Sequence, residues 1–228
     1  AYGLHPDPQA CPTRRSSDLV TIRTDGERNV EGEFSIDGDA MAGNYSSDVC
    51  FNEPLNRFFV DYRLSASSRI KVRALTPNGA RTVSVGSGYS VKTDVFAPRI
   101  ATDNNNDPYN FVVTFLEGSD NSLMAKPFQY DAASGAIVVG SELTIDTDAC
   151  SSGHTVVYDS TNDKFIVLYA SDQDSNYVRA KVLTFNSGSN SLSAGSEVQL
   201  NSVAVGSFHL SAVFTTSGKT VMAMRNAS

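Results

Sequence analysis

The chain has 228 residues, with 25 acidic against 18 basic side chains and a formal net charge of −7; this length suits one large all-β domain or two small ones, and the acidic balance excludes a duplex binder, which needs a basic face. Hydrophobic residues make up 40% and charged residues 19%, so a core can form and the composition is not that of a disordered chain. Three Cys, no Trp and no apolar run near the ~18 residues of a spanning helix exclude a disulfide scaffold, WD-type repeats and a helical membrane span.

Residues 1–19, AYGLHPDPQACPTRRSSDL, contain three Pro and show neither a strand nor a helix period. The stretch PTRRSSDL, Pro12 to Leu19, is similar to the translation of a common sequencing adapter. The leader is therefore read as non-native or disordered, and His5, Cys11, Arg14 and Arg15 are set aside with it.

From residue 20 onward the chain repeats. Strand-like runs begin at Phe58 (FFVDY), Phe111 (FVVTF), Phe165 (FIVLY) and Thr220 (TVMAM), spaced 53, 54 and 55. A Gly ahead of an alternating run recurs at Gly32, Gly86, Gly140 and Gly195, and a basic residue enters an apolar stretch at Arg73, Lys126 and Lys181. Three markers in phase at one period define a structural repeat. Each repeat holds four candidate strands. In the third they are TVVYD near 155–159, KFIVLYA near 164–170, YVRAKVLTF near 177–185 and SEVQL near 196–200. Asn, Asp, Ser and Gly clusters separate them, and loops this short join antiparallel neighbours.

A four-stranded meander every ~54 residues predicts an all-β chain, a β-propeller of four-stranded antiparallel blades with almost no helix. Whole repeats span 44–93, 97–146 and 153–201. A partial repeat at 20–37 matches strands three and four, and another at 208–225 matches strands one and two. The chain thus holds about four blades' worth of sequence, read as a fragment of a larger ring, with closure of the two halves into one composite blade as the alternative. Open edge strands at either end predict self-association. Pro127 is the one discordant residue, because an interior third strand needs its N–H.

The repeat GHTVVYDSTNDKFIVLYASDQDSNYVRAKVLTFN followed by GSEVQL resembles modules of marine-phage tail-fibre and bacterial surface proteins, most clearly over 153–200. That resemblance implies an extracellular, cell-surface or virion module that binds or presents.

His154 and His209 lie 55 apart, and Arg99 lies 55 before His154, with Tyr45 near the matching place in the earlier repeat. Equivalent positions ahead of the innermost strands of a propeller ring one mouth of its channel. There Tyr, Arg and His suit a sugar or a carboxylate. Loop residues capping strand starts are the plainer alternative, and aligning Val157 with Val213 shifts His209 one place from His154, which reverses its face. Asp103, Asp107, Asp172 and Asp174 form two Asp-rich stretches without the Gly and Glu of an EF-hand, so turn chemistry is the expectation and calcium the alternative.

Nucleophile-elbow, His-Glu-x-x-His, phosphate-loop and Cys-x-x-Cys motifs are absent. Cys50 and Cys150 fall in non-adjacent repeats and are expected as free thiols. No cofactor is expected apart from that alternative calcium. The expected function is a binding or structural module that recognises a glycan or other cell-surface ligand at the propeller rim, with neither nucleic acid nor a membrane span involved. The alternative is a fragment of a propeller-type glycoside hydrolase or lyase.

Overall fold

The computed structural model describes residues 36–37, 41, 47–78, 82–104, 109–147, 153–172, 175–215 and 217–226. All of them belong to one compact unit, Ile36–Ser228. Every strand pairing is antiparallel, and no α-helix occurs among the described residues. Sheet I contains β1 (Ser47–Asn52), β2 (Arg57–Leu64), β3 (Arg69–Asn78), β4 (Thr82–Val85) and β5 (Tyr89–Lys92). Sheet II contains β6 (Val95–Thr102), β7 (Tyr109–Glu117), β8 (Leu123–Tyr130), β9 (Ile137–Val139) and β10 (Leu143–Asp146). Sheet III contains β11 (His154–Asp159), β12 (Lys164–Ser171), β13 (Tyr177–Asn186), β14 (Ser191–Ala194) and β15 (Val198–Gln199). Sheet IV is the hairpin of β16 (Val205–Phe214) and β17 (Thr220–Asn226).

The repeat seen in the sequence is a repeat of pairing. Phe58, Phe111, Phe165 and Thr220 occupy one position in their hairpins, opposite Phe51, Thr102, Tyr158 and Phe214 of the first strands. Asx residues close these hairpins by accepting backbone N–H groups that would otherwise go unpaired. Asn52 Oδ1 accepts the Leu55 N–H at 3.0 Å, and Asp159 Oδ1 accepts those of Thr161 and Asn162 at 2.9 and 3.1 Å. Asn56 and Asp163 turn through the left-handed region at φ 49° and 54°, which Asn and Asp tolerate.

The fourth strand of each repeat differs from expectation. It is broken into two short pieces, both paired to the third strand, and the marker glycine sits at each break. Gly86, Gly140 and Gly195 donate their N–H groups to the carbonyls of Ala74, Pro127 and Val182 at 2.9, 2.9 and 2.8 Å. The break also accommodates Pro127. In an antiparallel strand a residue's N–H and C=O point to the same side. The Pro127 carbonyl faces Gly140, so its missing N–H faces the gap between β9 and β10, where no ladder bond is forfeited.

Each sheet covers the next. Phe59, Ile70 and Val72 of sheet I pack on Phe111, Val113 and Phe128 of sheet II, with Phe59 stacked on Phe111 at 4.5 Å and Phe111 on Phe128 at 5.0 Å. The other face of sheet II, with Val112, Leu116 and Leu123, packs on Phe165, Val167 and Leu183 of sheet III. Sheet III's far face packs on Leu210 of sheet IV through Leu168 and Val178. Burying one such side chain contributes ~1.5–3 kcal/mol, so these interfaces dominate the fold energy. Two of the basic markers join successive sheets, Lys126 Nζ donating to the Val91 carbonyl at 2.8 Å and Lys181 Nζ to that of Ile145, while Arg73 pairs with Asp37, ahead of sheet I, at 3.3 Å. The first strands β1, β6, β11 and β16 are consecutive neighbours in space.

Candidate functional site

Of the sequence-predicted ligand residues, Tyr45 lies outside the described residues, as do Asp107 and Asp174. Arg99 is inside β6, His154 is the first residue of β11, and His209 falls within β16. Counted by their second-strand partners, Asp48, Arg99, Thr155 and Ser211 share one level, opposite Asp61, Thr114, Leu168 and Ala223. His154, opposite Tyr169, is one step earlier. The equal spacing of Arg99 and His154 therefore does not make them structural equivalents. The turn after β6 is two residues longer than the one after β11, which displaces the count, and one step reverses the face.

Arg99 and His154 nonetheless belong to one layer with Asp48 and Asp61. The Asp48 N–H donates to Asp61 Oδ1 at 2.8 Å, while Asp48 accepts the N–H groups of Val49 at 2.9 Å and Ile100 at 3.2 Å, tying β1 to β6. Asp61 is fully buried, and its Oδ2 has no hydrogen-bond partner among the described residues. Burial pushes the Asp61 carboxyl well above the usual range and the charge of Asp48 pushes it further, with Arg99 opposing both. The Asp48 carboxyl is raised by burial too, against the pull of Arg99. His154 is 2% exposed, and its ring nitrogens make no hydrogen bond in regular geometry. Burial, with Arg99 adding repulsion, lowers it to about 3 despite the nearby Thr114 backbone, so the imidazole is neutral. Across this layer the Asp48–Ile100 bond ties sheet I to sheet II, and His154 stands neutral beside it. The layer's Arg99 faces two acids of the protein itself.

Asp103 plays a turn role. It is 1% exposed, and its two oxygens accept the Asn110 N–H at 3.0 Å and the Asn110 side-chain amide at 2.7 Å. Asn52 reaches from sheet I to the Asp103 carbonyl at 2.6 Å and the Thr102 hydroxyl at 3.0 Å. Asp172 follows β12 and is half-buried. Among the described residues no group of three or more His, Cys, Asp or Glu is placed to hold a metal ion. No helix among them is long and apolar enough to cross a membrane.

Near the other end of the same four strands lies an open cavity of ≈ 390 Å³. Consecutive levels of β1, β6, β11 and β16 line it, ending in the ring of Phe51, Thr102, Tyr158 and Phe214. The turns that follow add Asn104, Ser160 and Thr215. Its walls include Cys50, a free thiol whose ionisation burial and the two Asp residues push well up. Phe51 is 43% exposed, and Phe58 backs its ring at 4.7 Å. Tyr158 leans on Phe165 at 5.2 Å, and its hydroxyl donates to Asp163 at 2.9 Å. Sequence reasoning missed this ring. The available signal was the aromatic–Asx pair that ends two first strands, Phe51-Asn52 and Tyr158-Asp159.

A comparison with protein-family models returns no match, and neither does one with curated proteins.

Proposed function

We propose that the repeats are blades of a β-propeller and that the protein is a binding module of a cell surface or virion, recognising a glycan or other surface ligand at the mouth of an axial cavity. The observation that carries this reading is the cavity itself, lined at corresponding levels by all four first strands. Equivalent strands arranged around one axis are what a propeller requires, and a cleft of ~300–1,000 Å³ with a few polar groups is the usual form of a small-ligand site. Loops at the ends of rigid strands are where recognition residues collect. The layer of Asp48, Asp61, Arg99 and His154 supports binding over catalysis: Asp61 and His154 are buried, and none of the four lines the cavity.

The test is a glycan array read for both binding and product release. Saturable binding without turnover, weakened by Phe214→Ala, supports the module. Release of shortened glycans would replace it with the hydrolase or lyase reading, and an array with neither signal would remove the ligand proposal.

A further inference from the structure

We infer that the cavity selects an uncharged sugar ring and discriminates against acidic glycans; this rests on the binding reading above and names its ligand class.

None of the fourteen described residues lining the cavity carries a charge. A carboxylate or sulfate brought among Phe51, Val157, Val213 and Phe214 would lose hydration without gaining a partner, which costs far more than burying a neutral hydroxyl. The cation on these strands is Arg99, three residues before the ring position of Thr102 on β6; its Nη1 donates to the Pro98 carbonyl at 2.7 Å and its charge is opposed by those of Asp48 and Asp61.

What the cavity does offer is a set of aromatic surfaces with a sparse polar edge. Phe51 and Tyr158 are each held from behind by a second-strand ring, so their orientation is set before a ligand arrives, which lowers the cost of binding. The hydroxyls of Thr102 and Thr215 are spent inside their own turns, on Asp103 and Asn110 and on Lys219. Asn104 and Ser160 make no hydrogen bond to another described side chain and stand exposed at the mouth. A hexose pyranose ring matches this division: a C–H face for the aromatic surface, and neutral hydroxyls at the edge for an amide and a hydroxyl.

The experiment titrates the full chain with two immobilised sets: glycans ending in hexose or N-acetylhexosamine, and glycans ending in sialic acid, uronate or sulfate. The expected result is at least a tenfold preference for the neutral set, a drop of about tenfold with Tyr158→Ala, and a smaller drop with Asn104→Ala or Ser160→Ala. The last two positions are exposed, so they report on the mouth even if the Tyr158 variant fails to fold. Ser160→Lys, which adds a cation at the mouth, is expected to recruit the acidic set. Preference of the unmodified protein for acidic glycans would overturn the inference and leave the binding reading standing. Neutral binding indifferent to all three alanine variants would place the ligand elsewhere and overturn it too. Silence on both sets would remove the inference and the binding reading together.

Discussion

Val112 in sheet II and Val221 in sheet IV stand at the same position of the same hairpin, opposite Ala101 and Val213. Val112 is wholly buried and Val221 is 53% exposed. Two residues on, Thr114 is buried and Ala223 is exposed. The hairpins are alike in pairing and unlike in company. Sheet II is packed by sheet I on one face and sheet III on the other, whereas among the described residues sheet IV packs on sheet III through one face. Backbone pattern sets the strand, and the neighbouring sheet sets what a position is worth.

The sharpest way to break the comparison is to truncate one repeat marker in each region. Phe111, fully buried between the rings of Phe59 and Phe128, is expected to cost ~3–5 kcal/mol as Phe111→Ala. Thr220, its counterpart on sheet IV, is expected to cost ~0.5 kcal/mol or less as Thr220→Ala. Urea titrations of the two variants measure the contrast. Equal losses would mean that sheet IV is as fully packed as sheet II.

The next effect is a slope with pH. The folded Asp61 carboxyl is raised by burial and by Asp48, so above about pH 4, where an unfolded Asp ionises, the unfolded chain releases a proton that the fold retains. Stability present below that pH is lost as pH rises through the raised value. Asp61→Asn is expected to remove this loss, seen as a flatter urea midpoint as pH rises above about 4. Ala223→Asp, at the exposed equivalent, is expected to add no such slope. On the acid side His154, lowered to about 3, opposes folding progressively as pH falls below about 6.5, where the unfolded imidazole takes up its proton. That limb is expected to survive Asp61→Asn.

How much was legible follows from which interactions are local. The markers Phe58, Phe111, Phe165 and Thr220 report strand pairing, a local property, and the pairing register bears them out. The glycines were seen, but the break they mark was not, because a split fourth strand depends on the third strand's carbonyls. Arg99 and His154 were aligned by spacing, and spacing fails on the first strands because the turns that follow differ in length. From the ring position to the marker, sheet II takes nine residues, sheets I and III seven, and sheet IV six. The same variation hid the ring of Phe51, Thr102, Tyr158 and Phe214, which forms only when four strands are brought side by side. Asp103 was expected as turn chemistry; its bonds to Asn110 lie within the β6–β7 hairpin, while its cover by Asn52 of sheet I belongs to tertiary packing.

The smallest contrast tests whether contact between sheets reaches the outer strands as well. A Cβ on Gly140 would stand 1.8 Å from the Asn190 carbonyl and 2.7 Å from the Pro127 ring, so the β13–β14 turn of sheet III must move to admit it. Gly195, its equivalent on sheet III, would place a Cβ 3.6 Å from the Val182 carbonyl, an ordinary contact. The difference has the same origin as that between Val112 and Val221. Asn190 reaches across from sheet III to donate to the Val138 carbonyl at 3.1 Å, while sheet IV presents no third-strand turn among its described residues to crowd Gly195. Gly140→Ala is therefore expected to lose ~1–3 kcal/mol through displaced backbone. Gly195→Ala, outside the left-handed region, is expected to gain ~0.4–1 kcal/mol because the unfolded chain has fewer conformations to lose. Opposite signs in paired thermal melts would tie the crowding at Gly140 to the neighbouring sheet. Equal losses would instead assign it to the strand break that both glycines share, and the distinction between covered and uncovered repeats would then stop at the inner strands.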